Sequence, residues 1–205
     1  MQQQLLAGAN ELGVSLCEAD AERLCALIGL LQHWNRAYNL TSITDAHGIL
    51  AKHLLDSLSA HRFVHGPRIV DVGTGGGFPG LPLALLNPAV QFCLLDSHAK
   101  KLRFVRQAAS QLDLQNVTTV HARVQEFSDS EGFDTVICRA FASLQDIVDW
   151  SAHLLAPGGS IIAMKGHLDE EEWAALGDGW HTRIEPVVVP FVDATRHIVV
   201  LQPTQ

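Results

Sequence analysis

The densest chemistry in this 205-residue chain is the stretch Asp71-Val72-Gly73-Thr74-Gly75-Gly76-Gly77-Phe78-Pro79-Gly80, set between a short apolar run and a helical one. Glycines there allow positive φ and close approach of backbone to a ligand, and Pro79, with its fixed φ, suits the first helical position. Such a loop places a ligand at the carboxyl end of the first strand. Gly75-x-Gly77-x-x-Gly80 formally satisfies a dinucleotide fingerprint, and Asp96 falls at the end of the second strand, where an acid accepts from ribose hydroxyls. A tight turn alone does not account for five glycines within eight residues, beside an acid on each neighbouring strand end.

Asp71 also stands two residues before the first glycine, giving Asp-x-Gly-x-Gly-x-Gly. That pattern resembles motif I of class I methyltransferases and shifts the expected ligand from a dinucleotide to S-adenosylmethionine. Methyl transfer from a sulfonium is an in-line displacement, so the protein must aim a lone pair at the methyl carbon and exclude water. Exocyclic amino groups are commonly aimed by Asn or Asp followed by Pro-Pro and an aromatic residue after the fourth strand, where this chain has Cys138-Arg139-Ala140-Phe141. Methylation at carbon 5 of a pyrimidine needs a cysteine nucleophile, but Cys138 lacks the preceding proline of those enzymes and reads as a buried filler. A ring nitrogen such as guanine N7 carries an in-plane lone pair and no proton, and so needs neither base nor adduct. Arg139 is the candidate catalytic residue. At the end of the fourth strand it points into the ligand crevice, where a guanidinium captures a cofactor carboxylate, a phosphate or guanine O6; the alternative is a surface salt bridge.

These residues need a frame. Leu24, Leu27, Leu31, Trp34 and Tyr38 recur at helical spacing behind a candidate N-cap, Asp20, and a second helix is expected from about Asp45 to Arg62, with Leu50, Leu54 and Leu58 buried and Gly66-Pro67 ending it. Asn39 to Ser42 reads as a turn between them. From Arg68 short apolar runs alternate with helical stretches, the signature of a parallel sheet. Strands are expected at Arg68 to Val72, Val90 to Leu95, Val117 to His121, Thr135 to Cys138 and Ser160 to Met164, with Pro157-Gly158-Gly159 turning into the fifth. Helices are expected at about Pro79 to Leu86, His98 to Leu112 and Leu144 to Leu155. Two final runs, Arg183 to Val189 and His197 to Leu201, are separated by seven residues, too few for a crossover helix, and should pair antiparallel. The expected fold is therefore α/β and Rossmann-like: a seven-stranded, mostly parallel sheet with an antiparallel last strand. Residues 1–66 form an N-terminal helical extension and 67–205 the methyltransferase domain.

The helix after the second strand buries Leu102, Val105, Ala109 and Leu112 and turns Lys100, Arg103, Arg106 and Gln107 outward, as an RNA-facing patch or a merely solvated face. Lys165 and the pair Arg196-His197 lie beside the mouth of the crevice, while Asp169 to Glu172 reads as a helix N-terminus. With 22 acids against 14 bases the net charge is -8, which disfavours a protein that grips naked nucleic acid by blanketing phosphates. Cys17, Cys25, Cys93 and Cys138 form no Cys-x-x-Cys pair and the 11 histidines no His-x-x-x-His pair, so reduced thiols and no metal site are expected. No stretch approaches the roughly 20 apolar residues of a membrane span, and the N-terminus lacks a signal-peptide pattern, so a cytoplasmic location is expected.

Taken together, Tyr38-Asn39-Leu40-Thr41-Ser42, His53-Leu54-Leu55-Asp56-Ser57, the glycine loop, Leu95-Asp96-Ser97, Arg139 to Leu144, Lys165-Gly166 and Arg196-His197 resemble the ribosomal RNA small subunit methyltransferase G family, also called the glucose-inhibited division protein B family. The resemblance implies methyl transfer from S-adenosylmethionine to N7 of one guanosine in the 530 loop of bacterial 16S ribosomal RNA, in the small subunit or its precursor; a monomer is expected. It implies cofactor contacts at Gly73, Phe78, Val124, Gln125 and Arg139, to which the loop and sheet arguments add Gly75 and Asp96. Lys100, Arg103, Arg106, Lys165, Arg196 and His197 are the candidate RNA contacts. Two readings from other classes stay open, a nicotinamide oxidoreductase and a non-catalytic ribosome-associated module.

Overall fold

The computed structural model describes residues 1–139, 142–168 and 170–204. Seven strands form one sheet: β1 (Arg68–Val72), β2 (Gln91–Asp96), β3 (Val117–His121), β4 (Phe133–Arg139), β5 (Leu155–Lys165), β6 (Trp180–Val187) and β7 (Arg196–Pro203). Their order is β3-β2-β1-β4-β5-β7-β6. The first five are parallel, and β7 runs antiparallel between β5 and β6, so the tail forms the expected hairpin. Because successive side chains point to opposite faces, the sheet feeds two cores. Ile69, Leu94, Ile137 and Ile162 pack on one side, and Val70, Leu95, Val136 and Ala163 on the other.

The first side is covered by the N-terminal third. Helices α1 (Gln2–Glu11) and α2 (Glu18–Tyr38) bring Leu5, Leu24, Leu27 and Leu31 into the same cluster as Leu81, Phe104 and Ile137. Each fully buried leucine contributes about 1.5–3 kcal/mol, so this segment is firmly held against the sheet. The helix α2 begins earlier than the sequence suggested: Cys17 is its N-cap, its Sγ accepting from the Asp20 N–H at 3.4 Å, and Asp20 lies within the first turn. Tyr38 leaves the core and stacks on half-buried Trp34 at 5.1 Å.

The single helix expected from Asp45 to Arg62 is broken into pieces. Asp45 caps α3 (Ala46–Ile49), a π-helical turn spans Leu50–Leu55, α4 covers Asp56–Leu58, and a 3-10 turn covers His61–Phe63. Leu50, Leu54 and Leu58 are buried as expected. Wider turns of this kind recur where a helix reorients side chains at functional sites. Here the turn carries Lys52 and His53 and leads straight into Asp56.

Beyond β1, α5 runs over Gly80–Leu86, so Pro79 precedes the helix and does not open it. The reason is the first free N–H of the helix, which belongs to Gly80 and is taken by Asp71. Next come α6 (Ala99–Gln111), one 3-10 turn at Val124–Glu126, α7 (Leu144–Ser151) followed by a 3-10 turn at Ala152–Leu154, and the short α8 (Glu170–Ala174). Strand β5 starts before Pro157-Gly158-Gly159, because Leu155 already pairs with Phe133, and the proline-glycine stretch coincides with a register shift inside the pairing. No helix among the described residues is long and apolar enough to cross a membrane, and among them no group of three or more His, Cys, Asp or Glu is placed to hold a metal ion.

Candidate active site at the carboxyl ends of the strands

The glycine loop is tied down from three sides. Gly73 and Thr74 donate their N–H groups to the Leu95 carbonyl at 2.9 and 3.0 Å, which clamps the loop to the end of β2. Asp71, completely buried, accepts from Thr74 Oγ1 at 2.6 Å and from Gly80 N at 2.8 Å through one oxygen. Asp96 accepts the Gly75 N–H at 2.9 Å through Oδ2, and its Oδ1 meets the N–H and ring Nδ1 of His98 at 2.7 and 2.9 Å. Gly73, Gly75 and Gly77 have φ of 69°, 58° and 83°, a region that L side chains enter only with strain.

Two cavities adjoin this loop, and shared residues link them in series with a third. The first, about 360 Å³, is lined by Gly73, Asp96, Ser97, Val124 and Gln125, with Lys101 and Trp150 at its margin. The second, about 120 Å³, is lined by Gly73 to Gly76, Phe78, Thr41, His53 and Arg139. Arg139 also lines the third, about 330 Å³, with Lys52, Asp56, Lys165, Arg196 and His197. Gly73 therefore joins the first space to the second, and Arg139 the second to the third.

At that second junction the N-terminal segment and the sheet meet in one polar network. Arg139 Nη1 donates to the Lys52 carbonyl at 3.1 Å and to Asp56 Oδ2 at 3.2 Å, and Nη2 donates to His53 Nδ1 at 3.3 Å. Asp56, 6% exposed, gives its other oxygen to Arg196 Nε at 3.0 Å. A single buried carboxylate thus bridges the end of β4 and the start of β7. Because His53 Nδ1 accepts from a guanidinium, the ring proton sits on Nε2 and is donated to Thr41 Oγ1 at 2.8 Å. The imidazole stacks on Phe78, with centroids 4.9 Å apart, and the Arg139 guanidinium lies 5.7 Å from the same ring. Three of Arg139's five donors are engaged by described residues, leaving two for a bound group.

Burial, and then the charge of Arg139, push His53 down to about 4, so it is neutral here. Burial pushes Asp71 up to about 6, against the pull of its Thr74 and Gly80 hydrogen bonds. The two groups act on stability in opposite senses. Between about pH 4 and 6.5 the unfolded chain binds the His53 proton and the folded one does not, so this group adds stability as pH rises. Between about 3.8 and 6 the folded chain holds the Asp71 proton, so that group removes stability as pH rises. The substitution His53→Gln should leave the Asp71 contribution unopposed. Urea midpoints of the variant, relative to wild type, should fall as pH is raised from about 4 to 6.5, whereas parallel midpoint curves for the two proteins would refute a neutral His53.

The residues singled out from sequence are distributed as follows. Gly73, Asp96, Val124 and Gln125 come together at the first cavity, and Gly73, Gly75, Phe78 and Arg139 at the second. Lys165, Arg196 and His197 line the third, but Lys165 Nζ is held by Glu172 at 2.6 Å and by the Ala142 carbonyl at 3.0 Å. Glu172, read from sequence as part of a helix start without a site role, also accepts the first N–H of α7, from Leu144. Lys100, Arg103 and Arg106 are exposed on α6, away from the three cavities, with Arg106 Nε donating to Thr119. Asp169, and the Ala140-Phe141 part of the motif after β4, lie outside the described residues. Cys138 is buried, and its thiol is pushed up to about 12 by burial, so the thiolate a nucleophile requires is not formed near neutrality. Sequence reasoning missed the roles of Thr41, Lys52, His53 and Asp56, although it singled out the motifs that contain Thr41, His53 and Asp56.

The family model for rRNA small subunit methyltransferase G, GidB, matches residues 20–199. The chain belongs to that family. It is 46% identical over 202 residues to the Ribosomal RNA small subunit methyltransferase G of Idiomarina loihiensis, covering 98% of both chains, and 48% identical over 197 residues to that of Methylococcus capsulatus, covering 96% of both. Among solved structures it resembles the precorrin-6y C5,15-methyltransferase of Geobacter metallireducens, with TM-score 0.57, 19% identity and coverage of 82% of this chain and 92% of that one. An S-adenosylmethionine-dependent methyltransferase of Aquifex aeolicus gives TM-score 0.58 at 15% identity, covering 75% and 92%. These likenesses show the Rossmann-like methyltransferase fold.

Family members are enzymes that use S-adenosylmethionine, and the residues present fit that group. A glycine cradle with three positive φ angles abuts a cavity bearing a strand-end carboxylate, Asp96. Asp96 has three contacts against roughly four lone-pair sites, so it can still accept from a hydroxyl. Gln125 is exposed and lines the same cavity, and the two Arg139 donors that no described residue takes lie one cavity further on.

Proposed function

We propose that the protein transfers a methyl group from S-adenosylmethionine to N7 of a guanine in the 16S ribosomal RNA of the small ribosomal subunit, acting as a monomer in the cytoplasm. The observation that carries this reading is the series of three linked cavities, together with the engagement of Asp71, Asp96, Asp56 and His53 around them. Asp71 is sealed beneath the loop, Asp96 holds Gly75 and His98, Asp56 holds two arginines, and both ring nitrogens of His53 are engaged. Among these four groups an acceptor that must lose a proton finds no side chain that is both exposed and unengaged. N7 loses none.

In this reading Gly73, Gly75, Asp96, Val124 and Gln125 hold the nucleoside part of S-adenosylmethionine, and Phe78 and Arg139 its amino-acid part. When bound, that group supplies an electrophilic methyl on a sulfonium. The residues of the chain position and screen. Arg139 uses its two remaining donors on a carboxylate or on guanine O6, and Asp56, beside it, offsets the guanidinium charge that would otherwise oppose a cationic 7-methylguanine. Residues 1–66 act as an extension that closes the methyltransferase domain, 67–205, by delivering Thr41, His53 and Asp56 to it. Arg196, His197 and Lys165 face the incoming nucleotide, and Lys100, Arg103 and Arg106 supply further phosphate contacts.

With a net charge of -8, recognition rests on a folded particle and few phosphate contacts. Transfer should be fastest on small subunits, and its log rate against log salt should fall with a slope of only a few units. Equal, salt-insensitive turnover on a short guanosine-containing oligonucleotide would contradict this reading.

A further inference from the structure

The sheet carries a second polar cavity, away from the methyl-transfer end. It measures about 550 Å³ and is walled by Arg62 and His65, which precede β1, by His181, Thr182 and Arg183 of β6, and by Gln202 of β7. Every one of these side chains can donate a hydrogen bond. Among the described residues no carboxylate lines the space, in a chain whose acids outnumber its bases by 22 to 14.

The two arginines come from segments about 120 residues apart and converge on one ring. Their guanidinium carbons lie 4.7 Å (Arg62) and 6.0 Å (Arg183) from the centroid of Phe63, which is itself buried. Both reach the same acid, Glu185, each at 3.8 Å, near the limit of an ion pair. One carboxylate shared by two cations leaves a net positive charge. Both side chains are more than 60% exposed, so exchanging this loose pairing for a better anion costs little.

We propose that this cavity is a docking site for the phosphate backbone of the RNA substrate; the proposal rests on the reading of the protein as a ribosomal RNA methyltransferase. Paired guanidiniums match phosphate oxygens by forked hydrogen bonds. The frame is stiff, because Arg183 pairs with Val200 and His181 with Gln202 in the β6–β7 ladder, and it opens outward, because β6 is the edge of the sheet. Val200 and Gln202 lie four and six residues along β7 from Arg196, about 13 and 20 Å at strand spacing, a span of a few nucleotides. An acidic protein segment fits less well. The apolar residues of the cavity, Phe63 and Val200, are buried under the cations and offer no anchor for a side chain.

The test compares wild type, Arg62→Ala/Arg183→Ala and Arg62→Lys/Arg183→Lys, as full chains, for co-sedimentation with small ribosomal subunits over a range of salt and for methyl transfer at saturating subunits. The double alanine variant should bind subunits on the order of 10-fold more weakly, with a log-log salt slope shallower by about 2, one for each phosphate that an arginine no longer neutralises. Its affinity for S-adenosylmethionine and its kcat should match wild type, and the lysine pair should restore most of the slope. Unchanged binding, or weaker binding with an unchanged slope, would overturn the proposal. So would ultraviolet cross-links from this face to a ribosomal protein in place of RNA. If wild type binds subunits but transfers nothing, the reading of function fails, while the binding slopes still decide the docking site.

Discussion

Replacing Arg139 by alanine lowers kcat/KM for methyl transfer on the order of 100-fold or more, in a protein that remains folded. The side chain stands where the second and third cavities join, and two of its five donors are taken by no described residue and can meet an anion there. Its loss also frees His53 from its donor and leaves Asp56 with Arg196 alone. Removing one partner of a buried charge pair costs about 3–5 kcal/mol, and a chain of this size loses roughly 2–4 °C of Tm per kcal/mol, so a variant with lowered melting that is still folded at assay temperature is expected, the more so because Asp56 keeps Arg196. The substitution Asp56→Asn should produce a partial version of the same defect. An amide has one acceptor oxygen and can serve only one of the two arginines, and its NH2 group then faces the other guanidinium. Calorimetric affinity for S-adenosylmethionine, transfer rate and melting temperature, measured on both variants, separate the site from the scaffold. Near-normal turnover of Arg139→Ala with unchanged melting would refute the assignment.

The second large effect concerns Gly80. A Cβ at this position would stand 2.2 Å from Leu94 Cδ2 and 2.7 Å from Asp71 Oδ2, and both residues are completely buried. Neither can give way. Gly80→Ala must therefore separate α5 from β2 and stretch the Gly80–Asp71 hydrogen bond that anchors the loop, at a cost of about 2–3 kcal/mol, with a further loss of cofactor affinity. Gly76→Ala is the control. Its nearest neighbours, Phe78 and Leu31, lie at 3.5 and 3.7 Å, an ordinary contact, so a change within about 1 kcal/mol is expected. The two urea midpoints should differ clearly, and a wild-type midpoint for Gly80→Ala would show that the close approach is not a constraint.

Much of this site could be read in the amino-acid sequence because its signals are local. Strands β1 and β3 have the bounds their apolar runs suggested, and three of the five loop glycines, Gly73, Gly75 and Gly77, use the positive φ that glycine allows. What local spacing could not show is pairing across the chain. Asp56 meets Arg139 across 83 residues and Arg196 across 140, and no periodicity records such a contact. The motif His53 to Ser57 stood out only as part of a family resemblance, and its chemistry became visible when the π-helical turn brought it to the end of β4. The Cys17 cap carries little sequence signal, because a thiol is a weak acceptor and an aspartate such as Asp20 a far commoner cap. The same limit hid the Arg62 and Arg183 pair, which the sheet edge alone brings together.

The most direct test of the central claim is to incubate the protein with isotopically labelled S-adenosylmethionine and small ribosomal subunits lacking the modification, digest the 16S RNA to nucleosides, and identify the labelled product by chromatography and mass. Label recovered as 7-methylguanosine is the predicted result. Label recovered as a 5-methylpyrimidine or as an exocyclic N-methyl base, or no label despite S-adenosylmethionine binding, would contradict the account.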